Sequence, residues 1–154
     1  MPSATPPPFI LERADRATVD EALPLLRAQM AEHGIDVEAT GEGRFDAAVR
    51  GLVETAGRGA VLVARCAETR CVVGVAVLAH TWTIELGGPC TWLDELYVVP
   101  GRRSAGLGTA LLRYAVDVAR SEGCRAIDLE VDAGHARAEG LYEREGFRAL
   151  RRRH

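Results

Sequence analysis

Lysine and asparagine are both absent from the 154 residues, so all 19 basic side chains are arginines. That usage resembles the codon bias of a G+C-rich, bacterial genome more than a choice made for function. Without lysine there can be no Gly-Lys-Ser/Thr loop of the kind that reaches nucleoside-triphosphate phosphates. No apolar run approaches the roughly 18 residues that a membrane-spanning helix needs. Segment 1–8 holds Pro2, Pro6, Pro7 and Pro8 but no basic stretch followed by an apolar one, which reads as a flexible tail and not a signal peptide. The four cysteines, at 66, 71, 90 and 124, include no Cys-x-x-Cys pair, and with four histidines they offer no zinc-ligand spacing. A reduced, cytoplasmic, metal-free protein is expected. A net charge of -3 and a pI near 5.8 provide no overall positive field, which argues against nucleic acid as a partner.

With 47% hydrophobic and 27% charged residues, the composition fits one ordinary domain, expected to cover 9–154. Segment 9–11 can start a strand. Thr18 and Glu21 have capping-box spacing before Leu23, Leu25, Leu26 and Met30, which predicts a helix ending near Gly34. Pro24 inside it means either a later start or a kink. Phe45, Val49, Leu52 and Val53 suggest a second, weaker helix. The period then changes. Runs 60–66, 72–79 and 91–99 read as three strands of a meander, with turns at Glu68-Thr69-Arg70 and Gly87-Gly88-Pro89. A helix over 108–122 follows, then a strand over 126–131, a short helix over 135–144 and a last apolar piece at 147–150. Arg151, Arg152, Arg153 and His154 read as a solvated end. The order is mixed α/β, a mostly antiparallel sheet with flanking helices.

The densest chemical signal is Arg102-Arg103-Ser104-Ala105-Gly106-Leu107-Gly108-Thr109, between a strand end and a helix start. Glycines there allow a tight turn and close approach of a ligand, and the first N–H groups of a helix favour phosphate. The plainer reading is a turn and nothing more. A dinucleotide fingerprint would need a third glycine where Leu111 stands.

Arg103-x-x-Gly106-x-Gly108 after Glu95-Leu96-Tyr97-Val98-Val99-Pro100 resembles the acetyl-coenzyme A loop of the GCN5-related N-acetyltransferase (GNAT) superfamily. His135, Ala138, Leu141-Tyr142 and Gly146-Phe147 stand in the frame of that family's Asn, Ala, Leu-Tyr and Gly-Phe pattern. The resemblance covers about 61–147. It implies the acyl-CoA N-acyltransferase fold, in which strands 91–99 and 126–131 splay apart and the pantetheine arm lies between them. Backbone of Tyr97, Val98 and Val99 would pair with that arm, and the pyrophosphate would rest on N–H groups from Arg103 through Thr109. Ser104 and Ala105 replace the family's frequent Gly and basic residue. Arg102, where an aromatic is frequent, could compensate for the lost charge. His135 replaces the usual Asn and can still donate a hydrogen bond near the cofactor.

Tyr142 falls at the position of the family's frequent general acid, able to protonate the departing thiolate; taken alone it could equally be a core aromatic. An attacking amine must lose its proton, and Asp94 and Glu95 are the candidate bases, with Asp94 ranked first because polyamine and aminoglycoside relatives tend to be acidic there. Both could instead be solvated strand carboxylates, with Glu130 and Asp132 as weaker candidates of the same sort. A strand bulge, which the family often has here, would decide their faces. Segments 80–85 and 92–95 look like the substrate-side hairpin of small-amine acetyltransferases. The resemblance therefore implies direct acetyl transfer from acetyl-CoA to a small-molecule amine, without metal, in a domain that is often a homodimer. A protein or peptide N-terminus as acceptor, and a non-catalytic acyl-CoA sensor, stay open as alternatives.

Overall fold

Two valine-rich segments, β2 (Gly59–Cys66) and β3 (Val72–Thr83), and the more mixed β4 (Gly88–Val98) form the middle of one sheet. β1 (Phe9–Arg13) lies on one edge and β5 (Ile127–Asp128) on the other, in the order β1-β2-β3-β4-β5. Every pairing is antiparallel except β4 with β5. The computed structural model describes residues 8–132 and 135–150. The tail up to residue 7 and the terminal Arg151, Arg152, Arg153 and His154 lie outside the described residues. Pro8 continues the edge ladder, its carbonyl accepting from Ala67 N–H at 3.0 Å.

Helices cover both faces, which is why β2 reads as a continuous apolar run instead of an alternation. On one face Leu62, Leu78 and Leu93 pack against Leu111, Leu112 and Ala115 of α3 (Leu107–Ser121). On the other, Val61, Val63, Val75 and Val77 meet Leu25 and Leu26 of α1 (Leu23–Glu32) and Val49 of α2 (Arg44–Glu54). Gly74 lets α3 sit close, since a Cβ there would come within 2.7 Å of Leu111 Cδ1. A final helix, α4 (Ala136–Arg144), lies beside α3 and lends Leu141 and Tyr142 to that face.

Pro24 takes one of the first two positions of α1, after a separate 3₁₀ turn over Val19–Ala22, so the helix starts later and is not kinked. The capping box does not form. Asp15 Oδ1 accepts instead from the N–H groups of Ala17 and Thr18, at 2.9 and 3.0 Å, and Glu21 reaches Arg65. β3 runs on to Thr83, and β4 starts earlier than expected, at Gly88, and ends one residue sooner, at Val98. β5 is shorter than expected, because Asp128 Oδ1 takes the N–H of Leu129 at 3.0 Å and the ladder stops. Segment 147–150 makes no strand; Phe147 packs edge-on to Tyr142, and Leu150 is exposed.

Candidate active site

β4 and β5 are in register only at Thr91 with Ile127 and Trp92 with Asp128. From Leu93 onward β4 has no partner on that side, and a cleft of about 820 Å³ opens between it, the glycine loop, α1 and α4. Val99 N–H donates to Val73 O of β3 at 3.0 Å. Backbone direction alternates along a strand, so Tyr97 also faces β3, while Leu96 and Val98 turn their amides to the opening. Their carbonyls are already engaged, Leu96 O by Gln29 Nε2 at 3.3 Å and Val98 O by Arg103 Nε at 2.9 Å. The outward N–H groups of Leu96 and Val98 are what the open edge offers a ligand. Of the backbone expected to do this, Val98 is placed for it, and Tyr97 and Val99 are committed to the sheet.

A β-bulge sits where the chemistry is expected. Val77 pairs with Glu95 and Leu78 with Leu93, leaving Asp94 as the extra residue. Leu93 therefore joins the α3 face and Glu95 the α1 face, in line with Tyr97, although the two are only two residues apart. In a regular strand Glu95 would point into the α3 core with Leu93. Asp94 opens to solvent, while Glu95 is half-buried. Burial within the cleft walls raises both carboxyl pKa values; with the negative charge of Asp94 added, Glu95 is pushed up to about 7.

The glycine loop leaves β4 through a 3₁₀ turn over Pro100–Arg102 and enters α3 at Gly106. Ser104 (φ 67°) and Gly106 (φ 79°) are both left-handed, a curled backbone that turns successive N–H groups to one side. No side chain caps α3, so the amides of Leu107, Gly108 and Thr109 begin the helix without a protein acceptor. Ser104, Gly106, Gly108 and Thr109 line the cleft; Leu107 is 3% exposed and anchors in the core. The two arginines before the loop are occupied elsewhere. Arg103 is clamped by Glu32 at 3.0 and 3.1 Å and lies over the Tyr97 ring, whose hydroxyl also donates to Glu32 at 3.0 Å. Arg102 donates to Cys66 Sγ at 3.4 Å. Neither Arg102 nor Ala105 lines the cleft.

Tyr142 faces the cleft from α4, half-buried and braced by Phe147 with ring centroids 5.7 Å apart. Burial, followed by the nearby Glu95 charge, raises its pKa above that of an ordinary phenol, so it stays protonated near neutrality. His135 is the residue before α4; its side chain makes no capping hydrogen bond, and its ring lies 6.1 Å from that of His33 at the end of α1. Ala138 lines the cleft beside it. Of the stretch expected to form a substrate hairpin, only Leu93, Asp94 and Glu95 reach this cleft. Thr81, Thr83 and Glu85 line a separate hollow of about 610 Å³ with Trp92 and Asp128.

Arg137 and Gln29 are among the cleft residues that no sequence motif marks. Arg137, in the first turn of α4, donates to Ser104 Oγ and places a guanidinium beside the loop. Its position two residues after His135 was visible, but no local signal ties α4 to the loop. Gln29 lies inside an apolar stretch of α1, where nothing local marks it out.

Residues 25–147 match the Acetyltransferase (GNAT) family. The chain belongs to that family. Among curated GNAT relatives, the mycothiol acetyltransferase of Beutenbergia cavernae is 41% identical over 75 residues, 47% of this chain and 24% of that protein. The chain thus spans well under half of that relative. Among solved structures, an acetyltransferase-type protein of Arthrobacter sp. FB24 is 31% identical with a TM-score of 0.76, covering 95% of this chain and 88% of that one. AAC(6')-Iy, solved with a CoA-linked bisubstrate analogue, shares the fold at 15% identity and a TM-score of 0.76, over 94% and 93% of the two chains. The five-stranded open sheet with flanking helices is the GNAT fold expected from the motifs. Among the described residues no helix is long and apolar enough to cross a membrane, and no cluster of three metal-ligating side chains occurs.

Proposed function

We propose that this GNAT domain transfers the acetyl group of acetyl-CoA directly to a primary amine of a small cationic molecule. The observation that carries the reading is that Glu95 and Tyr142 face one cleft at the open edge of β4, where burial keeps Tyr142 protonated, as an acid must be, and lifts Glu95 to about 7, close to the pH at which a base works best. The pantetheine arm fits the edge that β5 leaves vacant, taking a hydrogen bond from Val98 N–H as an added strand would and leaving Leu96 N–H for the thioester carbonyl. The diphosphate fits the curled loop from Ser104 to Thr109, with Arg137 supplying the charge that Arg102 and Arg103 spend elsewhere.

Glu95 serves as base for the acceptor ammonium, directly or through water. Asp94, ranked first on sequence, is the more exposed and tunes Glu95 by its charge. When bound, acetyl-CoA supplies an activated thioester. The amine lone pair forms the C–N bond, an open-edge N–H stabilises the carbonyl oxygen, and Tyr142 protonates the departing sulfur. Among the described residues no cation acts on Asp94 or Glu95, which leaves their charge free to receive a cationic acceptor.

The test is thiol release from acetyl-CoA with cadaverine, lysine, glucosamine and an alanine-initiated peptide. Turnover with the small amines, falling about 100-fold or more in Tyr142→Phe while acetyl-CoA affinity holds, supports the assignment. Turnover with the peptide alone favours a protein acceptor. Tight acetyl-CoA binding with no turnover favours a sensor.

A further inference from the structure

Gln29 is 5% exposed, yet it lines the cleft on the α1 side. Its Nε2 donates to Leu96 O at 3.3 Å, and its Oε1 is buried with no hydrogen-bond partner among the described residues. A buried amide oxygen left unmatched forfeits its hydration without return, so such groups are rare unless something arrives to satisfy them. We propose that Gln29 Oε1 receives an N–H of the acceptor amine and makes the site selective for primary over secondary amines.

The inference rests on the acetyl-transfer reading above and adds the direction of attack. Tyr142 and the glycine loop belong to the α3 and α4 side of the sheet; Glu95 and Gln29 belong to the α1 side. A thioester lying along β4 with its sulfur at Tyr142 exposes its other side to α1, and the acceptor must enter there. A neutral primary amine has one lone pair and two N–H groups. The lone pair bonds to the carbonyl carbon as the C–S bond breaks. One N–H gives its proton to Glu95, which has already passed the ammonium proton on to solvent, and the sulfur takes a proton from Tyr142, which regains one from solvent. The other N–H points to Gln29 Oε1 and remains there in the amide product. A secondary amine has one N–H and must leave either Glu95 or Gln29 unmatched. Its product amide has none.

The experiment compares matched pairs: cadaverine with N-methylcadaverine, lysine with Nε-methyllysine, glucosamine with N-methylglucosamine. Wild-type kcat/KM is expected to favour the primary member of an accepted pair at least tenfold. Gln29→Met keeps the bulk of the side chain and removes the acceptor oxygen. It is expected to lower the primary-amine rate about tenfold and bring the ratio within about threefold, with acetyl-CoA affinity unchanged. An unchanged ratio in a folded Gln29→Met protein overturns the role, because steric exclusion of the methyl group would survive the substitution. A loss of acetyl-CoA affinity instead assigns the oxygen to a cofactor amide and also overturns it. Absence of turnover with every pair removes the acetyl-transfer reading itself, and this inference with it.

Discussion

Arg137 donates to the hydroxyl of Ser104, bridging the first turn of α4 to the left-handed corner of the glycine loop. The bond gives the loop a guanidinium that neither preceding arginine is placed to provide. A charge-assisted hydrogen bond to a phosphate contributes about 1.5–3 kcal/mol. Arg137→Ala is expected to weaken acetyl-CoA binding roughly tenfold or more by calorimetry, with a smaller change in kcat.

Glu95 sets a pH dependence of a definite sign. Its folded carboxyl keeps a proton up to about pH 7, well above the ordinary carboxylate value. If it is the base, kcat/KM rises through about pH 7 to a plateau, and Glu95→Gln removes that limb along with about 100-fold or more of the rate. Stability runs the other way. Between the unfolded pKa and about 7 the folded state binds the extra proton, so stability falls as pH rises through that window. Glu95→Gln is therefore expected to raise Tm at pH 8 and to have little effect at pH 4.

Gly106 and Gly101 separate backbone strain from loss of space. A Cβ at either meets nothing within 4 Å, but only Gly106 has a left-handed φ. Gly106→Ala should cost about 1–2 kcal/mol, which for a chain of this size lowers Tm by roughly 2–8 °C. Gly101→Ala should leave Tm within about 1 °C of wild type.

Amide hydrogen exchange reads out the open edge. Acetyl-CoA is expected to slow exchange at Leu96 and Val98 by tenfold or more. Tyr97 and Val99, already turned to β3, should change little. Protection confined to Tyr97 and Val99 would place the ligand on the wrong side of the strand.

Much of this architecture was legible in the chain. Valine runs mark β2 and β3, because covered strands demand apolar side chains on both faces, and the Gly87-Gly88-Pro89 turn marks the approach to β4. The loop announced itself through Gly106 and Gly108, since a left-handed entry to a helix needs glycine. What escaped notice depends on contacts between distant segments. Nothing local in Arg103 shows that Glu32, 71 residues away, will claim its guanidinium. Nothing local in Gln29 shows that Leu96 will hold one end of its amide and leave the other unmatched. The end of β5 was foreseeable in principle, as Asp128 can bond the next backbone N–H, but that short-range competition carries no periodic signal.

Asp94 marks a place where the chain could lose a residue without turning its neighbours over. Most substitutions at a solvent-facing carboxylate leave a protein intact. Excising this residue would restore an unbroken ladder with Glu95 still opposite Val77 on the α1 side, removing only the kink and the neighbouring charge. A single-codon deletion there would therefore keep the carboxylate in place and isolate what the extra residue adds.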